Sequence, residues 1–156
     1  MTTAPAVRLW LGLTQAYSAV SAHATADVGR HGLSLGEFAV LDELSRDGPL
    51  LLGELQRRTL VSSGGATFLV DRLESKGLVR RKQCVADRRA TYAELTAKGT
   101  RLLTRIAPDH AATLRRAAAG LTPAQQREAA TLLKALARGA AAQGPVLSDK
   151  RRPARS

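Results

Sequence analysis

Few side chains in this sequence are spaced to make or break bonds. His23, His31 and His110 stand too far apart to read as a metal-ligand set, and no carboxylate–histidine cluster accompanies them. A Gly-rich phosphate loop, a G-x-S-x-G nucleophile turn and an H-E-x-x-H zinc helix are all missing. The single cysteine, Cys84, admits neither an intrachain disulfide framework nor a multi-cysteine zinc site. These gaps argue against an enzyme, and neither a cofactor nor a metal is expected. What the chain concentrates instead is the chemistry of holding a polyanion. Its formal net charge is +11, and Arg57 to Arg101 contains eleven basic residues against four acidic ones. Such an excess attracts phosphates and releases their counterions on contact. An Arg- and Ala-rich composition alone would not cluster the charge in this way.

Two segments of that span carry groups suited to duplex DNA. In the first, Ser62, Ser63 and Thr67 offer hydroxyls for base edges, while Gly64 and Gly65 let backbone come close to phosphate. A helix start also attracts phosphate through its free N–H groups. Two glycines there weaken the helix by roughly 1 kcal/mol each relative to alanine, so their position asks for a reason. Further along, Arg72 either touches phosphate or pairs with Asp71 or Glu74 on its own helix. The second segment is the polar tip Asp87-Arg88-Arg89; by itself it reads as a solvated hairpin end. Arg80, Arg81 and Lys82 before it suit general electrostatic attraction.

The elements that must position these groups follow from periodicity. Val7, Trp10, Leu13, Tyr17, Val20 and Ala24 fall on one stripe of a first helix from about Ala4 to Gly29. Ser34-Leu35-Gly36-Glu37 is a capping box opening a second helix with Phe38, Leu41 and Leu44 inward, ended by Gly48-Pro49. A short third helix fits Leu52 to Thr59, anchored by Leu55. Ser62 or Ser63 caps a fourth that reaches Lys76 and buries Ala66, Leu69, Val70 and Leu73, with Gly77 as its left-handed stop. Leu78 to Cys84 and Thr91 to Leu95 read as two strands joined by a tip. Thr96 caps a long fifth helix, broken or entered anew at Pro108, and Thr122-Pro123-Ala124-Gln125 opens a sixth. The fold class is therefore mainly α with a small β-hairpin wing: a winged helix-turn-helix lobe plus a helical dimerisation region. With 3% aromatic residues, the core must consist of Leu, Val and Ala.

The ordered set of motifs resembles the MarR (multiple-antibiotic-resistance regulator) family. Asp71-Arg72-Leu73-Glu74-Ser75-Lys76-Gly77-Leu78-Val79 is similar to the end of that family's recognition helix. Asp87-Arg88-Arg89 is similar to its D-x-R wing, and Leu95-Thr96-Ala97-Lys98-Gly99 to the L-T-x-x-G that opens its next helix. The match spans about Leu33 to Gly99, including Gly32-Leu33-Ser34-Leu35-Gly36-Glu37-Phe38 upstream. The resemblance implies a DNA-binding domain over 33–99 and a dimerisation region over 4–32 and 100–139, and the Ala, Gly, Pro and basic composition of 140–156 reads as a disordered basic tail. It implies that Ser62, Ser63, Gly64, Gly65, Thr67 and Arg72 face the major groove. Arg89 would enter the minor groove, oriented by Asp87, with Arg88 beside it as a phosphate contact.

The function so implied is a sequence-specific transcription regulator, a ligand-responsive repressor acting as a homodimer on a pseudo-palindromic operator. Its partners are double-stranded DNA, a second copy of itself and a small-molecule effector of unknown identity, with no membrane involved and a cytoplasmic location. The family's effector cleft lies between the dimerisation helices and the DNA-binding lobe. Trp10, Tyr17 and Phe38 are the aromatics available to line it for a small aromatic or lipophilic acid, although core packing accounts for them as well. The alternatives are a sequence-independent architectural DNA-binding protein and a redox-responsive regulator using Cys84.

Overall fold

The computed structural model describes residues 4–59, 63–85, 87 and 89–144. In chain order the elements are α1 (Pro5–Gly29), α2 (Leu35–Asp47), β1 (Leu50–Leu51), α3 (Leu52–Thr59) and α4 (Ser63–Ser75). The wing strands β2 (Val79–Gln83) and β3 (Thr91–Leu95) follow, then α5 (Ala97–Ala117) and α6 (Pro123–Gln143). This is the helical, hairpin-bearing class that the sequence predicts.

Local chemistry fixes most element ends. At the start of α2 the Glu37 N–H donates to Ser34 Oγ at 3.1 Å, and the Ser34 N–H donates back to Glu37 Oε2 at 2.7 Å. The same reciprocal box opens α6 between Thr122 and Gln125, with Pro123 at the first helical position. Gly77 adopts a φ of 70°, which a side chain would strain. Beside it the Leu78 N–H reaches back to Leu73 O at 2.9 Å, closing the end of α4.

Three features differ from expectation. A third strand, β1, pairs antiparallel with β3 (Leu50 opposite Ala93, Leu51 opposite Tyr92), giving a sheet of order β1-β3-β2. It ends where α3 begins, so the helix pair is bonded to the wing through the sheet. Helix α5 runs through Pro108 without a break. Helix α6 continues to Gln143, beyond residue 140 where the tail was expected to start.

The chain divides into two compact units, one ending at Ala117 and one beginning at Ala118. In the first unit the core is largely Leu and Val, as the composition requires, with Leu41, Leu55, Leu73 and Ile106 fully enclosed and Phe38 as its aromatic member. Only the last third of α1 joins it, through Ala24, Asp27 and Val28. Before that, Val7, Leu9, Trp10, Leu11 and Tyr17 are exposed. In the second unit α6 buries none of its residues, and Leu132, Leu133 and Leu136 are exposed.

The start of α5 is locked to the end of α4. Thr96 Oγ1 donates to Gly77 O at 2.7 Å and accepts from the Gly99 N–H at 3.1 Å. A Cβ on Gly99 would overlap Leu78 O, so the backbone can approach only because glycine stands there. The L-T-x-x-G stretch is thus a packing device.

Candidate nucleic-acid interface

Helices α3 and α4 and the β2–β3 wing bring the two sequence-predicted DNA segments into one lobe. Ala66, Leu69, Val70 and Leu73 seat α4 on the core, which leaves Thr67, Phe68, Asp71 and Ser75 exposed on its outer side. Ser63 and Gly64 form the helix start with Gly65 following, and Thr67 is one turn further on. Ser62 and Arg88 lie outside the described residues.

The orientation of α4 is set by a buried carboxylate. Glu37 is fully enclosed, and its Oε1 accepts from Lys76 Nζ at 2.7 Å and from Arg72 Nε at 3.0 Å. Lys76 Nζ also donates to Gly32 O at 2.7 Å. Burial alone would raise the Glu37 pKa, but the donors Lys76, Ser34 and Arg72 outweigh it and hold the carboxyl below its ordinary value. The same side chain therefore caps α2 and anchors the end of α4.

Arg72 was expected to pair with Asp71 or Glu74, or to reach phosphate. Those two acids instead hold Arg81, whose Nη2 lies 2.6 Å from Asp71 Oδ1 and Nη1 2.5 Å from Glu74 Oε2. The physical reason is geometric: β2 passes beside the outer edge of α4, whereas Arg72 turns toward α2. Although partial burial opposes it, pairing with these two carboxylates raises the Arg81 pKa. Arg80 pairs with Glu94, its partner in the strand register, at 2.5 Å. Of the three cations expected to supply general attraction, Lys82 alone has no acidic partner among the described residues.

On the other side of the lobe the balance reverses. Arg58 is held by Glu54, Asp47 and Glu43, while its neighbour Arg57 has no acidic partner among the described residues. Arg57 lines a groove of about 310 Å³ between α3 and the wing, and Arg89 lines the same groove. Arg89 is exposed, and its backbone N–H donates to Asp87 Oδ1 at 2.9 Å. Asp87 thus shapes the turn that carries Arg89, acting on backbone. Sequence reasoning missed Arg57 as a site residue. The signal was the Glu54–Arg58 spacing of one helical turn, which assigns Arg58 to the fold and leaves Arg57 over.

The three aromatics proposed for an effector cleft are not brought together within one chain. Trp10 and Tyr17 are 62% and 69% exposed on the part of α1 beyond the core. Phe38 is buried against His110, the ring centroids 4.4 Å apart. His110 Nδ1 lies 3.0 Å from Asp27 Oδ2, and Arg30 pairs with the other oxygen of that carboxylate. Burial would raise the Asp27 pKa, but Arg30 and His110 together keep it below the ordinary carboxylate range. A cavity of about 370 Å³ does open between α1 and α5, walled by His23, Asp27, Arg30, Thr113 and Arg116. Ala22 and Ala26 complete a lining that mixes charged and apolar side chains. Cys84 is half-buried at the wing base, and no cluster of metal-ligating side chains occurs among the described residues. No described helix is long and apolar enough to cross a membrane.

A helix pair whose second member lies on the lobe surface, bonded through a sheet to a basic hairpin, defines a winged-helix DNA-binding protein. Comparison with known proteins narrows this class. The MarR family model matches residues 31–90. The HTH-type transcriptional regulator YkoM of Bacillus subtilis (strain 168) is 40% identical over 129 residues, covering 83% of this chain and 84% of that protein. The HTH-type transcriptional regulator MhqR of the same organism is 41% identical over 110 residues, or 70% and 76% of the two chains. Among solved structures, the MarR family regulator Sco3205 of Streptomyces coelicolor in complex with DNA superposes with a TM-score of 0.82 at 28% identity, over 96% of this chain and 94% of that one. The chain belongs to the MarR family. It is a DNA-binding transcription regulator and not an enzyme.

Proposed function

We propose that this protein is a ligand-responsive repressor acting in the cytoplasm as a homodimer on a pseudo-palindromic operator. The observation that carries the reading is the division of its charge. The cations around α4 are matched by acids, while Arg57 and Arg89 line a common groove and pair with no acid among the described residues; the carboxylate in that groove, Glu54, is held by Arg58. In this reading the start of α4, with Ser62, Ser63, Gly64, Gly65 and Thr67, enters the major groove. Arg89 reaches the adjacent minor groove, Arg57 holds the phosphates between, and Arg88 extends the wing contact.

Dimerisation is supported by the exposed apolar side chains of α1 and, separately, of α6, which a second copy would cover. Two copies place their fourth helices about 10 bp apart on one face of the duplex. The effector in this reading is a small organic anion held by Arg30, Arg116 and His23 in the cavity between α1 and α5.

One preparation tests these parts in turn. Light scattering behind size-exclusion chromatography should give twice the chain mass. Selection from a randomised duplex pool should then recover an inverted repeat bound at least about a thousandfold more tightly than random DNA. A specificity ratio near one would favour the architectural alternative, and a monomer would remove the two-site geometry. Titrating small aromatic carboxylates against the bound operator should release it, and Arg116→Ala should blunt that release.

A further inference from the structure

Phe68 occupies the outward side of α4, opposite the stripe of Ala66, Leu69, Val70 and Leu73 that seats the helix on the core. The residue is 57% exposed. Single exposed apolar residues are ordinary on protein surfaces, but two observations set this one apart. The Arg72 guanidinium carbon stands 5.7 Å from the ring centroid, within cation–π range. Arg72 is itself fixed, because its Nε donates to the enclosed carboxylate of Glu37 at 3.0 Å. A chain of contacts thus runs from the interior to the ring: Glu37 holds Arg72, and Arg72 steadies one side of Phe68. The remainder of the ring faces outward beside Thr67.

We infer that Phe68 is a specificity-determining residue that reads the C5-methyl group of a thymine in the major groove; this rests on the placement of α4 proposed above. A phenyl ring neither donates nor accepts a conventional hydrogen bond. Against guanine, adenine or cytosine it would strip water from polar edge atoms and return nothing. Thymine alone among the four bases presents an apolar group in that groove. Arg72 is then a positioning residue, held by Glu37 on one side and by the ring on the other.

Burying one methyl is worth about 0.8 kcal/mol, which corresponds to about fourfold in affinity at 1.4 kcal/mol per tenfold. The test begins with the duplex that the wild-type protein selects from a randomised pool. Each thymine in that site is replaced singly by deoxyuridine, which deletes the methyl and keeps every hydrogen-bonding group. One thymine per half-site should cost the wild-type protein about fourfold when replaced. The same replacement should cost Phe68→Ala nothing, and repeated selection with Phe68→Ala should lose the preference at that position alone. Equal methyl sensitivity in the two proteins overturns the assignment, as does a Phe68→Ala variant whose selected sequence is unchanged. A variant that alters only the oligomeric state assigns Phe68 to self-association and overturns it too. Failure of the wild-type protein to select any sequence strikes the proposed function itself, and is distinguishable because it appears before any thymine is replaced.

Discussion

The back of α4 and the groove between α3 and the wing carry the same residue types and use them oppositely. Behind α4, Arg72 and Lys76 are bonded to the enclosed Glu37, and at its outer edge Arg81 is bonded to Asp71 and Glu74. At the groove, Arg57 and Arg89 have no acidic partner among the described residues and line one open surface. Charge counted along the chain predicts attraction to DNA but cannot say which cations remain available. The difference is that Arg72, Lys76 and Arg81 are committed to holding α4, whereas Arg57 and Arg89 are left without an acid and, under the proposed function, meet the polyanion.

The sharpest way to break the fixed side is Gly99→Ala. The added methyl would collide with the Leu78 carbonyl oxygen, backbone against backbone. A loss of about 3 kcal/mol or more is expected in urea denaturation; an unchanged midpoint would show that α5 and the end of α4 do not meet so closely.

Glu37→Ala comes next, at about 2–4 kcal/mol, because it strands the buried ends of two cations. Their partial exposure keeps the figure below that of a wholly buried pair. Glu37→Gln isolates the pH dependence. The folded-state pKa of Glu37 lies below its ordinary value near 4.5, so the stabilisation is present above that value and is lost as pH falls through the depressed one. Asp27 acts in the same direction from an ordinary value near 3.8. Acid unfolding should therefore be shallower in Glu37→Gln, and a profile that overlays the wild type would remove Glu37 as its source.

The groove side is tested by salt. Arg89→Ala and Arg57→Ala should each weaken operator binding by about tenfold and reduce the slope of log affinity against log salt by about one per chain. Arg81→Ala, on the fixed side, should leave that slope unchanged. If all three moved the slope alike, the division of charge between the two regions would be wrong. The smallest effect belongs to Cys84→Ser, a half-buried wing position, which should shift stability by no more than about 0.5 kcal/mol. Its operator binding should respond to peroxide as the wild type's does; loss of a peroxide response on this substitution would favour the redox-regulator alternative.

Most of the element pattern was legible because its signals are local. Ser34 with Glu37, Thr122 with Gln125, and Gly77 after Lys76 each encode an element end within four residues. The strand β1 was not legible: two leucines carry no periodicity, and only β3, some forty residues on, makes them a strand. The reach of Glu37 to Arg72 and Lys76 is similarly long in sequence, so Asp71 and Glu74, the near neighbours, were the natural but mistaken partners. Trp10, Tyr17 and Phe38 share chemistry and a place on apolar stripes. Nothing in their spacing says that α1 leaves the core before it reaches the first two. Arg57 and Phe68 escaped for a related reason, since each is distinguished by what its neighbours do rather than by its own type.

The short strand β1 has a mechanical consequence. By hydrogen-bonding the entry of α3 to β3, it joins the α3–α4 pair and the hairpin into a single caliper. Under the proposed function an incoming signal would therefore find little purchase inside one half-site, and would act on the distance or angle between one caliper and the next.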